Sequence, residues 1–289
     1  MLRLLRSELY RMVRRWMPWI MLGLIVLTAF LLYFLIWASV NAQLQAVKNG
    51  TIPAPAGGTA QLEQTLRMIA PDRVAQFGVG LVSGLGSVML IVFAASHVGT
   101  EFGWGTFRTL LAHGASRTGF LVAKAASLLL YAFVFIVVGT LAAIGASYAV
   151  SAVAGISVGS GVDVAEVTRA AVKAGYIFLP YMALALAIAV WSKSAGAGIA
   201  AGLVVYFAEG IVATLLVSLN KDYAEIVNWG LSRSVSAVTR AGSSAAVPDP
   251  TASTLPDPTR AAIVLAVYCV IFLVLAYWRL RSRDVTVGG

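Results

Sequence analysis

The chain has 289 residues, of which 60% are hydrophobic and 11% are charged, and its formal net charge is +9. Soluble domains carry about 25% charged residues, so this composition excludes a chain built mainly of soluble domains and predicts a membrane protein. A basic nucleic-acid-binding protein is excluded too, because the arginines and lysines stand beside long apolar runs. The single Cys269 excludes an internal disulfide.

The first 16 residues have the pattern of an amphipathic helix. Five apolar residues recur at helical spacing, Leu2, Leu5, Leu9, Met12 and Trp16, while the arginines face away from them. Such a helix lies in the headgroup layer with its basic side towards anionic lipid. The alternative is a simple positively charged anchor before the first span. Both interpretations use the same arginines, Arg3, Arg6, Arg11, Arg14 and Arg15.

Six apolar runs follow, and each is long enough to cross the hydrocarbon core, which takes about 20 residues. They predict an all-α polytopic membrane protein with a single domain over residues 1–289. Residues 41–76 and 219–259 are polar and contain prolines, so they are predicted to be outer loops, with a short helix at 61–69. The predicted spans are residues 17–40, 77–98, 121–152, 173–192, 194–218 and 260–278.

The distribution of charge predicts that both termini are cytoplasmic. In that topology twelve of the 21 basic residues and three of the 12 acidic residues face inwards, whereas the remaining bases and acids are equal in number. Lys and Arg near span ends favour the inner side of a membrane.

Small residues recur within two of the predicted spans. Gly80 and Gly84 stand four residues apart in the second span, and Gly198 and Gly202 repeat this spacing in the fifth. Such residues let helix backbones approach closely in lipid, so we predict tight packing there. Glu209 also lies in the fifth run, and a carboxylate within a span is a functional candidate. It has two candidate roles, a gate or substrate contact and a hydrogen-bonded structural residue.

The motifs of common enzymes are missing from the sequence. No lysine follows a glycine in a G-x-x-x-x-G-K-[ST] phosphate loop, so this chain is not expected to hydrolyse ATP by itself. The two histidines, His97 and His113, are sixteen residues apart and no cysteine cluster accompanies them, so they do not predict a metal site. A serine–histidine site within the membrane stays open as an alternative, with Ser83, Ser87 or Ser96 as nucleophile.

A polar segment between the second and third spans is the most distinctive part of the chain. Residues 101–124 read E-F-G-W-G-T-F-R-T-L-L-A-H-G-A-S-R-T-G-F-L-V-A-K. We predict a helix at about 100–113 that ends at Gly114, and a second helix capped by Ser116. The glycines within the first helix favour close contact with another backbone, and hence a docking helix. The alternative is an ordinary surface helix in an inner loop.

The pattern E-F-x-x-G-T-x-R-x-L-L-x-x-G-x-S-R-x-x-x-L-x-x-K resembles the inner loop of permease subunits of ABC-type exporters of the second class, which have the type V exporter fold. The resemblance implies that 100–113 is a cytoplasmic coupling helix that docks on a separate ATPase. The matching residues with this implied role are Glu101, Phe102, Gly105, Thr106, Arg108, Leu110, Leu111, Gly114, Ser116 and Arg117.

The resemblance also implies the assembly and its location. Two permease subunits, as a homodimer or a heterodimer, would pair through spans two and five, with Gly80, Gly84, Gly198, Gly202 and Glu209 as interface or pathway candidates. Two copies of the ATPase would hold the ATP and Mg, with no cofactor in this chain, in a prokaryotic plasma membrane. Short outer helices would follow span five, one of them at 211–219, with Glu209 at the junction.

Three functions follow from these observations. The first is the membrane-spanning subunit of an ATP-driven exporter, which is not itself an enzyme. The second is a non-transporting membrane partner of an ATPase, such as an immunity or maturation factor. The third is an intramembrane enzyme, which would need an activity of this chain alone.

Overall fold

The computed structural model describes residues 2–53, 58–104, 106, 116–155, 161–241 and 252–282. All regular elements within these residues are helical. Short 3-10 turns lie at Pro71–Arg73, Lys221–Tyr223 and Ala252–Thr254. The α-helices of the described residues are α1 (Leu2–Arg14), α2 (Trp16–Lys48), α3 (Gly58–Met68), α4 (Gly78–Gly103), α5 (Arg117–Ala154), α6 (Val164–Ser192), α7 (Ala195–Leu219), α8 (Ala224–Val227), α9 (Leu231–Arg240) and α10 (Pro258–Ser282).

Six of the described helices are long and apolar enough to cross a membrane, namely α2, α4, α5, α6, α7 and α10. The protein is therefore an all-α polytopic membrane protein, as its composition predicts. These helices extend beyond most of the predicted spans, and α2 ends at Lys48 where the apolar run stops at residue 40. A helix satisfies its own backbone hydrogen bonds, so it continues where the chain leaves the hydrocarbon.

Local signals end the helices where the sequence predicts. Ser116 caps α5, because its Oγ accepts a hydrogen bond of 3.0 Å from the N–H of the third helical residue. Gly155 follows the last residue of α5 with a φ of 63°, a conformation that suits glycine. The predicted spans 173–192 and 194–218 leave one residue between them, and this residue, Lys193, adopts a φ of 55° in the turn between α6 and α7.

The chain divides into two compact units. The first comprises Met1–Trp19, Ser87–Phe133 and Gly175–Gly289, and the second comprises Ile20–Gly86 and Val134–Ala174. In the first unit, the rings of Phe93 and Tyr131 stack at 3.9 Å, and the Tyr131 hydroxyl donates to the Pro18 carbonyl at 2.9 Å. These contacts join α4, α5 and the first turn of α2.

The second unit packs the α3 region against α2, α4 and α5. The Ser147 hydroxyl donates to the Ile69 carbonyl at 2.7 Å, and the rings of Tyr33 and Phe77 meet edge to face at 5.3 Å. A Cβ on Gly78 would lie 2.8 Å from both the Cβ of Ala143 and the hydroxyl of Tyr33, so the absence of a side chain permits this packing.

The segment after span five differs from its expected arrangement. Residues 211–219 do not form a separate outer helix, because α7 is continuous from Ala195 to Leu219. Glu209 therefore lies inside this helix and not at a junction. The short helices come later, at α8 and α9, and α9 packs against α7 and α10.

Candidate functional site

Charged side chains of three helices of the first unit meet in one buried cluster. Lys124 of α5 is at its centre, with its Nζ 2.6 Å from Glu8 Oε2 of α1 and 3.0 Å from Glu101 Oε1 of α4. The same ammonium group donates to the His97 carbonyl at 3.3 Å. The ammonium group thus donates hydrogen bonds to Glu101 and His97, whereas its contact with Glu8 Oε2 is an ion pair.

Two arginines of the N-terminal segment complete the cluster. Arg15 lies 3.1 Å from Glu101 Oε1, and Arg11 lies 3.5 Å from Glu101 Oε2. Arg11 also pairs with Glu8, the residue one helical turn before it. The Arg15 guanidinium donates to the Thr100 hydroxyl at 3.3 Å. We call Glu8, Arg11, Arg15, Glu101 and Lys124 the ion cluster.

The centre of the ion cluster is closed to solvent. Glu101 and Lys124 are fully buried and Glu8 is 2% exposed, whereas the side chains of Arg11 and Arg15 remain about a quarter exposed. Removing charges from water is unfavourable, and mutual pairing offsets that penalty only when each group has good partners. Because the pairs join α1 to α4 and α5, losing one partner should weaken the attachment of α1.

Each helix contributes its polar residues at helical spacing. Glu8 and Arg11 are three residues apart on α1, His97 and Glu101 are four apart on α4, and Lys124 is three before Ser127 on α5. Residues at these spacings share one helix face. Three polar helix faces therefore meet at one point.

His97 and Ser127 border the ion cluster and form a hydrogen bond of 3.1 Å. The Ser127 hydroxyl also contacts the Lys124 carbonyl at 2.9 Å, as a donor. The imidazole is 3% exposed and the serine fully buried. With its hydroxyl proton directed to a carbonyl, the serine accepts from the imidazole, which orients the ring and does not activate a nucleophile.

Most of the chain matches a known protein family. Residues 78–286 match the family described as "Protein of unknown function (DUF2705)". The chain belongs to this DUF2705 family. No curated protein matches the chain.

In this DUF2705 protein the family match covers only part of the ion cluster. Glu101 and Lys124 lie inside the matched residues, while Glu8, Arg11 and Arg15 precede them. The cluster thus ties the N-terminal helix α1 to the part of the chain that defines the family.

The structure describes some of the predicted coupling residues. Glu101 belongs to the last turn of α4 and is fully buried, so it pairs within the chain and is not available to a docking partner. Phe102 and Thr106 are half-buried. Arg117 donates to the carbonyls of Leu280 and Arg281 at 2.9 and 3.0 Å, at the end of α10. Outside the described residues lie Gly105, Arg108, Leu110, Leu111 and Gly114, and with them most of the predicted coupling helix 100–113.

The N-terminal helix is oriented differently from the prediction. It ends at Arg14, and Trp16 already belongs to α2, where it is 83% exposed. Met12 of the apolar stripe is buried, and Arg11 and Arg15 turn towards Glu101 instead of lipid. Arg6 and Arg14 are exposed as expected, and the side chain of Arg3 lies outside the described part. Ion pairing across helices explains the difference, because Glu101 draws two arginines inwards.

The four predicted packing glycines fall into two groups. Gly198 and Gly202 are buried inside the first unit, where a Cβ on Gly198 would lie 2.9 Å from Ala95 and one on Gly202 would lie 2.6 Å from Ile91. These two glycines pack α7 against α4 of the same chain, so they do not supply an interface for a second copy. Gly80 and Gly84 are exposed, with open space around them.

Glu209 has a structural partner. Its Oε1 accepts a hydrogen bond of 3.1 Å from the backbone N–H of Ser232, in the first turn of α9. A carboxylate at this position satisfies a free N–H group and interacts favourably with the helix dipole. Gly230 allows the close approach, since a Cβ there would collide with the same carboxylate oxygen.

Sequence reasoning missed Glu8, which is the only acidic residue before Glu63. A single acid inside a row of arginines, one turn before Arg11, was the available signal. Its partner Lys124 is the last residue of the exporter-like motif at 101–124, but no sequence pattern connects two residues that stand so far apart in the chain.

Proposed function

We propose that this chain is the membrane-spanning subunit of an ATP-driven ABC exporter that works as a dimer and is coupled to separate ATPase subunits. The observation that carries the proposal is the ion cluster, which attaches α1 to α4 and α5. Of these helices, α4 and α5 flank the exporter-like segment at 101–124. A force applied to that segment would reach α1, α4 and α5 together, as coupling to an ATPase requires.

Two further features support the assembly. The chain has no phosphate loop, so ATP and Mg would be bound by a partner. Gly80 and Gly84 leave open space on α4, where a second permease subunit could approach closely. We propose a prokaryotic plasma membrane with both termini in the cytoplasm, on the excess of basic residues at the predicted inner ends of the spans.

The test is a pull-down of the tagged chain from its native membrane in mild detergent, followed by mass spectrometry. Arg108→Ala removes an arginine of the exporter-like motif and should reduce the recovered ATPase at least about tenfold, as expected for an interface arginine. The matched control is Arg67→Ala on α3, an exposed arginine of the predicted outer side, which should leave recovery unchanged.

The buried Glu101 is unsuited to this test, because its replacement would disturb the ion cluster itself. Recovery of no ATPase with the folded wild-type chain would overturn the proposal. Recovery of an ATPase without ATP-dependent movement of any solute would favour the non-transporting partner instead. A second permease in the recovered complex would identify a heterodimer.

A further inference from the structure

A cavity of about 540 Å³ lies in the first unit between α6, α7 and α9. Cavities of roughly 300–1,000 Å³ are typical of small-molecule sites. Its wall runs from Tyr181, which is 2% exposed, through Tyr206 to Phe207, which is 54% exposed. The rings of Tyr181 and Tyr206 meet edge to face at 5.1 Å. The cavity therefore has a closed aromatic end and opens on the exposed face of α7.

Two hydroxyls of the cavity lining, those of Thr214 and Ser236, have their protons engaged and are left as hydrogen-bond acceptors. The Thr214 hydroxyl donates to the Gly210 carbonyl at 2.9 Å, and the Ser236 hydroxyl donates to the Ser232 carbonyl at 2.9 Å. Each hydroxyl has one proton, which these bonds use, so the free lone pairs of both oxygens remain for a ligand. A ligand that donates hydrogen bonds matches this lining.

An acidic side chain, Glu209, does not line the cavity itself but is hydrogen-bonded to one of its lining residues. Glu209 precedes the lining residue Gly210, and its Oε1 holds the backbone N–H of the lining residue Ser232. This bond engages one carboxylate oxygen and keeps the group beside the cavity. Aromatic faces also attract cations, so the aromatic wall and the carboxylate both favour a positively charged ligand.

We propose that this cavity binds an amphiphilic cation, with its apolar body against Tyr181, Tyr206 and Phe207 and its N–H donors towards Thr214, Ser236 and Glu209. This proposal rests on the proposed export function where it treats the bound cation as the class of molecule that is exported. The role of Glu209 is then twofold, since one oxygen caps α9 and the carboxylate charge attracts the ligand.

The experiment measures binding of rhodamine 123, an aromatic cation with N–H donors, to the purified full chain in detergent by fluorescence anisotropy. Fluorescein, a related anion, is the comparison probe. Val235→Trp fills the cavity from α9 and should raise the Kd of rhodamine 123 at least about tenfold, since overfilling displaces the ligand. Glu209→Gln keeps an acceptor for Ser232 but removes the charge, and should raise the Kd about tenfold.

The matched control is Val212→Trp, because Val212 is an exposed residue of α7 that does not line the cavity. It should leave the Kd within about twofold, the usual effect of a surface change. If circular dichroism shows that Val235→Trp is unfolded, Ser236→Phe replaces it as the filling variant. Equal binding of rhodamine 123 by all folded variants, equal binding of fluorescein, or no binding of rhodamine 123 would each overturn the proposal.

Recovery of the ATPase with each variant separates this inference from the proposed function. Loss of rhodamine 123 binding in Glu209→Gln with normal ATPase recovery supports both. A wild-type chain that recovers an ATPase but binds no rhodamine 123 refutes only the cavity proposal. A chain that binds rhodamine 123 at the cavity but recovers no ATPase refutes only the exporter assignment.

Discussion

Replacing Lys124 by methionine tests whether the ion cluster holds α1 in place. Methionine keeps most of the volume and removes the ammonium group, so the change creates little empty space. Glu101 would keep Arg11 and Arg15, whereas Glu8 would lose its contact of 2.6 Å and keep Arg11, with His97 Nε2 at 4.0 Å from its Oε2. The loss therefore falls mainly on a carboxylate that is 2% exposed.

Breaking a buried ion pair by removing one partner costs about 3–5 kcal/mol. For a chain of this size, each kcal/mol lowers the midpoint of thermal unfolding by about 2–4 °C, so Lys124→Met should lower it by roughly 6–20 °C. The assay is thermal unfolding of the purified chain in detergent, followed by circular dichroism. The control, Lys48→Met, alters an exposed lysine in the last turn of α2 and should change stability by no more than about 0.5 kcal/mol.

A second replacement locates the unpaired charge. Glu8→Gln removes the carboxylate that is left without its lysine partner in Lys124→Met. The double variant Glu8→Gln/Lys124→Met should therefore be more stable, by about 1–3 kcal/mol, than the sum of the two single effects predicts. Unchanged stability of Lys124→Met would refute the argument that this lysine holds α1. Strict additivity with Glu8→Gln would show that Glu8 is not its partner.

Two further changes test packing and capping at the ends of the spans. Gly99→Ala should destabilise the chain by about 1–3 kcal/mol, because a Cβ would collide with the backbone of Ala195. The control, Gly103→Ala on the same helix, places a Cβ with nothing within 4 Å and should be neutral or stabilising. Thermal unfolding compares the two variants, and equal stability would contradict the packing argument. Ser116→Ala should lower the free energy of unfolding by about 1 kcal/mol, because it removes the cap of α5, and Ser116→Asp should restore the cap and the stability. If Ser116→Asp is as unstable as Ser116→Ala in the same assay, this serine has another role.

The sequence predicts the helical elements well because their signals are local. Apolar length identifies all six spans, and the cap at Ser116, the glycine at position 155 and the turn at Lys193 mark ends within a few residues. The helix predicted at 61–69 appears as α3. Two helices are longer than the predicted spans, since α2 continues to Lys48 and α6 begins at Val164, because helical hydrogen bonds continue outside the hydrocarbon where apolar residues are no longer needed.

The choice of partners could not be predicted from local patterns. Small residues indicate close packing, but Gly198 and Gly202 meet helices of the same chain while Gly80 and Gly84 face open space. The difference depends on which helices are neighbours in three dimensions. Glu209 shows the same limit, since its partner Ser232 belongs to a short helix in a segment predicted to be a loop.

Arg117 extends the connections of the ion cluster to span six. Its guanidinium donates to the carbonyls of Leu280 and Arg281, which lie in the last described turn of α10. It also stands at the start of α5, directly after Ser116. If residues 100–113 dock on an ATPase, as we propose, a displacement would enter α4 and α5 at their adjoining ends. The ion cluster would pass it to α1 and Arg117 would pass it to α10, so four helices would respond to one docking site.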